Sequence, residues 1–394
     1  MAHLVSRRNV LMAPSALSLW GSDAAPRVAV IGAGARGRYH IGQFRELGAN
    51  VAWVCDVYQT NRDAALAVAG SGAQGCEDYR KVLDDRSVDA VVIATPDHLH
   101  ARMAIAAMRA GKDVYLEKPV AHTIEDGFRV VEAARDTKRI VQVGMQRRSM
   151  NLFKEALSHV GASTGSVKLV NSWWYNRIDK LNPGPLKGAL NWDLFLGLAP
   201  KRPPDPVRFL NWYWFWDYGG GMMVAQASHI IDAVVWLLGL KYPAAVTATG
   251  NGPSLALAET PPNTCMCVEY PGDLLVVFTV GYHAMQYPQR FDQLIQFHGS
   301  KGRLDLGREA YALYSENPKS SELTPSLTGS EPGSFAKSTA LHIREFLECV
   351  RSRKEPGASP EAAQFTNVAL CMASESLRLG RRIVFDEQTR RIKA

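Results

Sequence analysis

The segment from Arg27 to Gly37 restricts the fold of this chain more than any other. Arg27-Val-Ala-Val-Ile31 is a short, mostly apolar run. Gly32-Ala-Gly34-Ala-Arg-Gly37 follows at once and leads into a helical stretch, Arg38 to Leu47. Strand, tight glycine turn and helix, in that order, form the context in which GxGxxG holds a dinucleotide. Gly32 allows the turn, Gly34 lets the backbone approach a pyrophosphate, and Gly37 lets helix and strand pack closely. Ala35 and Arg36 lie in the loop leading to the helix N-terminus, where free N–H groups and the helix dipole favour an anion. A second strand, Asn50–Cys55, ends in Asp56, 24 residues beyond Gly32. A carboxylate about 20 residues past the glycines accepts from ribose hydroxyls and repels a 2′-phosphate, so NAD is expected rather than NADP.

The alternation continues with helix over 61–69, strand over 88–95, helix over 98–109, strand over 113–116, helix over 124–137 and strand over 140–143. The run at 88–95 is almost all apolar, as a parallel strand buried on both faces requires. Residues 26–146 are therefore expected to form a doubly wound parallel sheet. Ligands bind such sheets at the carboxyl ends of the strands. Three polar segments fall there: Thr95-Pro96-Asp97-His98-Leu99-His100, Glu117-Lys118-Pro119 and Gly144-Met145-Gln146-Arg147-Arg148.

With 394 residues, the chain has room for a second domain over 147–394, and its composition changes there. Seven of nine tryptophans lie between Trp173 and Trp236. Residues 167–175 read as a strand, and Asn211-Trp-Tyr-Trp-Phe-Trp216 leads to Asp217-Tyr-Gly-Gly-Gly221. A helix is expected over 222–238, with His229 and Asp232 on one face. Aromatic faces suit the C–H patches of sugars, and Trp N–H and Tyr O–H groups can serve their hydroxyls. At least one of Trp212, Tyr213, Trp214 and Trp216, with Trp214 preferred, and Tyr175 are candidate substrate contacts on this ground, with core packing as the alternative. Strands over 244–249, 265–270, 274–281, 292–298 and 303–306 predict a large, open, mostly antiparallel sheet. Residues 315–333 read as a polar loop, followed by helices over 340–352 and 361–379. The fold class is α/β for the first domain and α+β for the second.

Composition narrows the function. The net charge is +7, but the basic residues are scattered, so a nucleic-acid partner is not expected. No apolar run reaches the roughly 18 residues of a membrane span. Six cysteines show neither a CxxC pair nor zinc spacing, so no metal is expected. Residues 1–25 stand apart. Ser6-Arg-Arg-Asn-Val-Leu11 has twin-arginine character, followed by small and apolar residues, and predicts export to the periplasm. The alternative is a basic tail on a cytoplasmic protein.

Taken together, the glycine loop, Thr95-Pro96 with His100, Glu117-Lys118-Pro119, the glycine turn at 219–221 and His229-Ile-Ile-Asp232 resemble the Gfo/Idh/MocA family of oxidoreductases. The resemblance runs from about Arg27 to Asp386. It implies that Lys118 lies beside a nicotinamide and steadies the reacting hydroxyl oxygen, and that His229 is the general base. Asp232 would orient His229 or contact substrate, together with Gln226 and Arg147. Thr95, Pro96, His100, Glu117, Lys118 and Gln146 would join the glycine loop and Asp56 around the cofactor. The family also implies a homodimer or homotetramer through the open sheet. One position departs from the pattern. Many relatives carry Asp four residues before the histidine, and this chain has Ala225 there. Gln226, Asp217 or a substrate group would have to substitute.

The expected activity is hydride transfer between NAD and a secondary hydroxyl of a sugar, sugar derivative or cyclitol. An alternative is redox-neutral cleavage of a glycoside through transient oxidation of a hydroxyl. A third is a non-catalytic sensor that binds NAD or sugar.

Overall fold

Short apolar runs, buried on both faces, build the first sheet of the computed structural model, which describes residues 25–252, 255–287, 292–317, 319–320 and 322–393. The twin-arginine segment, Ser6–Leu11, lies outside the described residues. Strands β1 (Arg27–Ile31), β2 (Asn50–Cys55), β3 (Gln74–Cys76), β4 (Ala90–Ile93), β5 (Asp113–Leu116) and β6 (Val141–Val143) pair in parallel in the order β3-β2-β1-β4-β5-β6. Helices α1 (Ala35–Glu46), α2 (Gln59–Ala69), α3 (Arg80–Asp84), α4 (Asp97–Arg109) and α5 (Ile124–Thr137) connect them. Strand order reverses between β1 and β4, so their carboxyl ends form the crevice where such sheets bind ligands. The sequence pattern anticipates this sheet except for β3 and α3, which are too short to show a period.

The second domain begins with α6 (Asn151–His159), β7 (Val167–Tyr175), α7 (Trp192–Leu196), α8 (Pro206–Leu210) and α9 (Gly221–Leu237). Strands β8 (Ala245–Gly250), β9 (Asn263–Tyr270), β10 (Leu274–Gly281), β11 (Gln293–Gly299), β12 (Gly302–Leu306), β13 (Ala310–Ser315) and β14 (Leu327–Ser330) follow. The chain ends with α10 (Ser334–Ser352), α11 (Pro360–Leu379), β15 (Ile383–Asp386) and β16 (Arg391–Lys393). Ten strands form one sheet in the order β14-β13-β12-β11-β7-β10-β9-β8-β15-β16. β7 and β10 run parallel, and the other pairs are antiparallel. Strand β9 alternates buried and half-buried residues along its length. One face of the sheet is thus sealed, with α9 and α11 in the same apolar core. β14 lies inside the stretch read as loop, and α10 starts six residues earlier than its apolar period suggests.

The two domains share core material. Ile343, Phe346 and Leu347 of α10 pack with Val28, Val30, Phe44 and Tyr115 of the first domain. Ala363 of α11 joins the core on the other face of the parallel sheet. A boundary at 146/147 therefore marks where the chain leaves the first sheet, not where the first core ends.

Candidate active site

The three loop glycines divide their work by what surrounds them. Gly32 has φ +86°, and a Cβ there would fall 2.5 Å from the Ala94 carbonyl oxygen. A Cβ on Gly37 would fall 1.9 Å from the Gly32 oxygen. Gly34 differs: its nearest neighbour would be Asn61 Nδ2 at 4.0 Å. The open side of Gly34 faces a cleft of about 640 Å³, lined also by Gly32, Ala35, Arg36, Asp56 and Pro96. No side chain caps α1, and no acid stands in its first turn. Its free N–H groups are therefore available to an anion.

Asp56 closes one end of the cleft. It accepts from the Ala33 N–H on Oδ2 at 2.7 Å and from the Tyr58 N–H on Oδ1 at 2.8 Å. Burial raises its pKa, and these backbone donors work against that shift. Oδ2 also takes a long contact from Asn61 Nδ2 at 3.4 Å, and Oδ1 keeps a lone pair for a further donor. Thr95 lines the cleft as well, and its Oγ1 is buried without a hydrogen-bond partner. An orphaned hydroxyl, an open Gly34 and an uncapped helix suit a bound dinucleotide.

A second cavity of about 610 Å³ adjoins the cleft, and the two share Arg36, Ala94, Thr95, Trp212 and Tyr213. Lys118 and His229 both line it, brought together from the end of β5 and from α9. The Lys118 ammonium donates to the Ala225 carbonyl at 3.0 Å. Burial lowers its pKa, and the charges of Glu117 and Asp97 oppose the shift. His229 is held well below the ordinary histidine range by burial, and then by the positive charges of Lys118 and Arg147. It is neutral at pH 7 and can accept a proton. The Trp174 ring packs against it, with centroids 5.8 Å apart.

Glu117 organises the cationic side. It accepts from Arg36 Nε at 2.6 Å and pairs with His40 Nε2 at 2.8 Å. Burial pulls its pKa upward, but Arg36 and His40 prevail and hold it well below the usual carboxylate range. Gln146 lines the cavity and bridges Arg36 and the Gly144 oxygen when its amide is oriented to satisfy both. His100 is buried between the Pro119 carbonyl, 2.7 Å from Nδ1, and the Thr95 carbonyl, 2.9 Å from Nε2. It ties two strand-end loops together and lines neither the cleft nor the cavity.

Several expected substrate contacts lie elsewhere. Trp214 has no exposed surface and belongs to the core, because the tight helical turn at Trp212–Trp214 presents Trp212 and Tyr213 to the cavity instead. Tyr175 lies on the opposite face of β7 from Trp174, where it bonds Thr279 Oγ1 at 3.1 Å. The period of two turns it away from His229. Asp232 is buried in a two-pronged ion pair with Arg148, Nη2–Oδ1 2.7 Å and Nε–Oδ2 3.0 Å, and also accepts from Thr366. It faces α11 and not the cavity. Arg147 is buried against the rings of Phe153, Trp174 and Phe335. Burial, then Arg308, lowers its pKa to about 9. It acts on His229 through its charge alone. Gln226 does line the cavity and donates to the Tyr282 hydroxyl. Asp217 is paired with Arg202 and Arg208 and is not part of this cavity.

The structure adds residues that the sequence did not single out. Asp97, at the start of α4, lines the cavity. Its place in Thr95-Pro-Asp-His was a usable signal. Ser338 and Thr339 come from the early turns of α10, and Thr339 Oγ1 accepts from Arg36 at 3.4 Å. No local pattern links them to the glycine loop. Among the described residues no cluster of His, Cys, Asp or Glu could hold a metal.

A dinucleotide crevice at a strand-order switch, continuous with a cavity holding a buried lysine and a neutral histidine, defines a two-domain nucleotide-dependent enzyme class. Residues 26–145 match a family model described as oxidoreductase family, NAD-binding Rossmann fold, and residues 199–305 match the GFO/IDH/MocA C-terminal domain. The chain belongs to the Gfo/Idh/MocA family of oxidoreductases.

An inositol 2-dehydrogenase of Klebsiella pneumoniae subsp. pneumoniae is 39% identical over 124 residues, 31% of this chain and 37% of that protein. Inositol 2-dehydrogenase 2 of Saccharopolyspora erythraea is 44% identical over 124 residues, 31% of this chain and 36% of that one. The chain thus spans little more than a third of these curated relatives. A levoglucosan dehydrogenase solved with NADH and levoglucosan superposes with TM-score 0.72 at 16% identity, over 92% of this chain and 99% of that one. The WlbA dehydrogenase of Bordetella pertussis, solved with NADH and UDP-GlcNAcA, gives 0.70 at 23%, over 92% and 99%. These two likenesses establish the fold across both domains. Among the described residues, no helix is long and apolar enough to cross a membrane.

Proposed function

We propose that this protein transfers a hydride between NAD and a secondary hydroxyl of a sugar, sugar derivative or cyclitol. One observation carries the reading: Lys118 and His229 line a single cavity that is continuous with the glycine cleft. Relatives named as inositol and levoglucosan dehydrogenases support the substrate class. Gly32–Gly37 and the start of α1 would hold the pyrophosphate, Asp56 a ribose, and Thr95 and Arg36 the nicotinamide end. NAD bound there would supply the hydride acceptor.

His229, neutral at pH 7, takes the hydroxyl proton. The Lys118 ammonium donates to the oxygen as negative charge develops on it. Trp212 and Tyr213 offer ring faces to the substrate's C–H patches. Export through the segment at Ser6–Leu11 and self-association through the exposed sheet face belong to the same reading. Cell fractionation tests the first, and sedimentation of the purified chain the second.

Purified protein should carry or bind NAD, and mixed cyclitols, sugar acids and glycosides should be offered to it. Product masses and the absorbance of reduced nicotinamide are followed together. A product two hydrogens lighter, with reduced cofactor accumulating, is the expected result. Free sugar without net reduction would replace this reading by redox-neutral cleavage, which the missing carboxylate at Ala225 favours. Absence of turnover across the panel would remove both.

A further inference from the structure

Asp97 stands between two cavities. One is the cavity of Lys118 and His229, and the other, of about 470 Å³, lies on the far side of the Lys118–Pro119 segment. Asp97 lines both. Two carboxylates line the first cavity, Asp97 and Glu117, and Glu117 is taken up by Arg36 and His40. Among the described residues no side chain forms an ion pair or hydrogen bond with the Asp97 carboxylate. Gly219 keeps it accessible: a Cβ there would fall 3.4 Å from Asp97 Oδ2 and 3.2 Å from Trp212 Cζ3. The second cavity leads outward past His122 to a rim of Glu125, Arg378 and Arg391, all three exposed.

We propose that Asp97 carries the substrate's proton out of the active site to solvent through this second cavity. The proposal rests on the hydride-transfer reading above. Oxidation of a secondary hydroxyl breaks a C–H and an O–H bond. Two electrons leave with the hydride to NAD, the oxidant, and the O–H proton must leave separately. His229 takes that proton and must be neutral again before the next turnover, so a further group has to deliver it onward to bulk water. A carboxylate that touches both cavities can, by taking it on the inner side and releasing it on the outer. In reduction the same path runs inward. Asp97 thus supplies the acidic group missing at Ala225, from a different element.

The electrostatics fit a relay. Burial pushes the Asp97 pKa up to about 7, with Lys118 opposing the shift and Glu117 reinforcing it. Proton uptake and release are then nearly balanced at neutral pH. The groups that face Asp97 are few. Glu117, Lys118 and His229 line the inner cavity, with Arg36 beyond them. His122, Glu125, Glu375, Arg378 and Arg391 line the outer one. His122 is kept neutral by burial, with its Nε2 on the Trp216 carbonyl at 3.0 Å, so it does not compete for the proton.

The test compares wild type with Asp97→Asn, which keeps the shape and removes the acid. In the wild type, kcat for alcohol oxidation should rise with pH through about 7. In D97N it should fall roughly 10- to 100-fold, lose that limb, and recover when formate or azide is added. Cofactor affinity should stay within about threefold. A second readout needs no turnover: acylation of Lys118 against pH, followed by mass spectrometry, should show a lower lysine pKa in D97N. The proposal is overturned if D97N keeps the wild-type rate and pH profile, if formate and azide restore nothing, or if Lys118 titrates unchanged. A wild type that reduces no NAD with any substrate removes the parent reading and this one with it. A wild type that turns over beside an unaltered D97N removes this one alone.

Discussion

Lys118 illustrates how one buried charge sets the behaviour of its neighbours. Its ammonium is desolvated and held by a carbonyl, and its charge is among the causes that keep His229 neutral. Lys118→Ala should therefore act on chemistry and not on binding. We expect kcat/KM to fall by about 10²–10⁴. Cofactor affinity, read by tryptophan quenching, should change little. Loss of the positive neighbour should also move the His229 limb of the pH profile upward. Asp97 makes the complementary case in stability. Its pKa rises from 3.8 to about 7, so the folded state favours the protonated acid. The stability this contributes is complete below about pH 4 and lost as pH rises to about 7, at most about 4 kcal/mol. Asp97→Asn stays neutral and keeps that stability. Its melting temperature should match wild type near pH 4 and exceed it at pH 8, by scanning calorimetry at both pH values. A gap independent of pH would contradict a desolvated, titrating Asp97.

At the scale of elements, the β1–turn–α1 unit separates folding from binding within six residues. Gly37 has backbone where a Cβ would go, whereas Gly34 has open cleft. Gly37→Ala should lower the melting temperature by several degrees, a cost of roughly 1–3 kcal/mol or more. Gly34→Val should melt within about two degrees of wild type yet bind NAD at least about tenfold more weakly. Calorimetry and cofactor titration on the two variants check this contrast. That unit was legible because its signals are local: an apolar run, three glycines at fixed spacing, and an acid at the next strand end. Helices α5 and strands β5, β7 and β10 were legible for the same reason, since each has its own period and clear ends. The substrate wall was less so. Residue type marks the aromatic run at 212–216 and Tyr175 as candidates, but the twist of a tight turn and the alternation of a strand decide which ring faces the cavity. The residues facing it are Trp212, Tyr213 and Trp174's partner His229. Ser338 and Thr339 lie between the stretch read as loop and the expected helix start at 340, and α10 reaches back over them through its packing on the first domain.

The whole molecule is held together by its last third returning to its first. Chain order places α10 and α11 in the second domain, yet α10 fills one face of the parallel sheet. His342 Nε2 meets the Val143 carbonyl at 2.8 Å, Gln142 Nε2 donates to the His342 carbonyl at 2.6 Å, and Arg353 pairs with Asp113 at 2.6 Å. The Arg148–Asp232 pair lies at the centre of this junction. Arg148 follows β6, Asp232 sits on α9 three residues after His229, and Thr366 of α11 joins them. With both partners nearly sealed from solvent, removing one leaves a buried charge without compensation, which costs about 3–5 kcal/mol. Asp232→Ala should therefore destabilise the whole chain in a single transition, because α9, α11 and the end of the first sheet lose their common anchor. Near neutral pH the surviving folded fraction should still bind NAD with wild-type affinity, since Asp232 does not line the cleft. Chemical denaturation followed by tryptophan fluorescence, with cofactor titration alongside, measures both. A loss of NAD affinity without a loss of stability would mean that Asp232 acts on the cofactor cleft and that the junction is held by the α10 contacts alone.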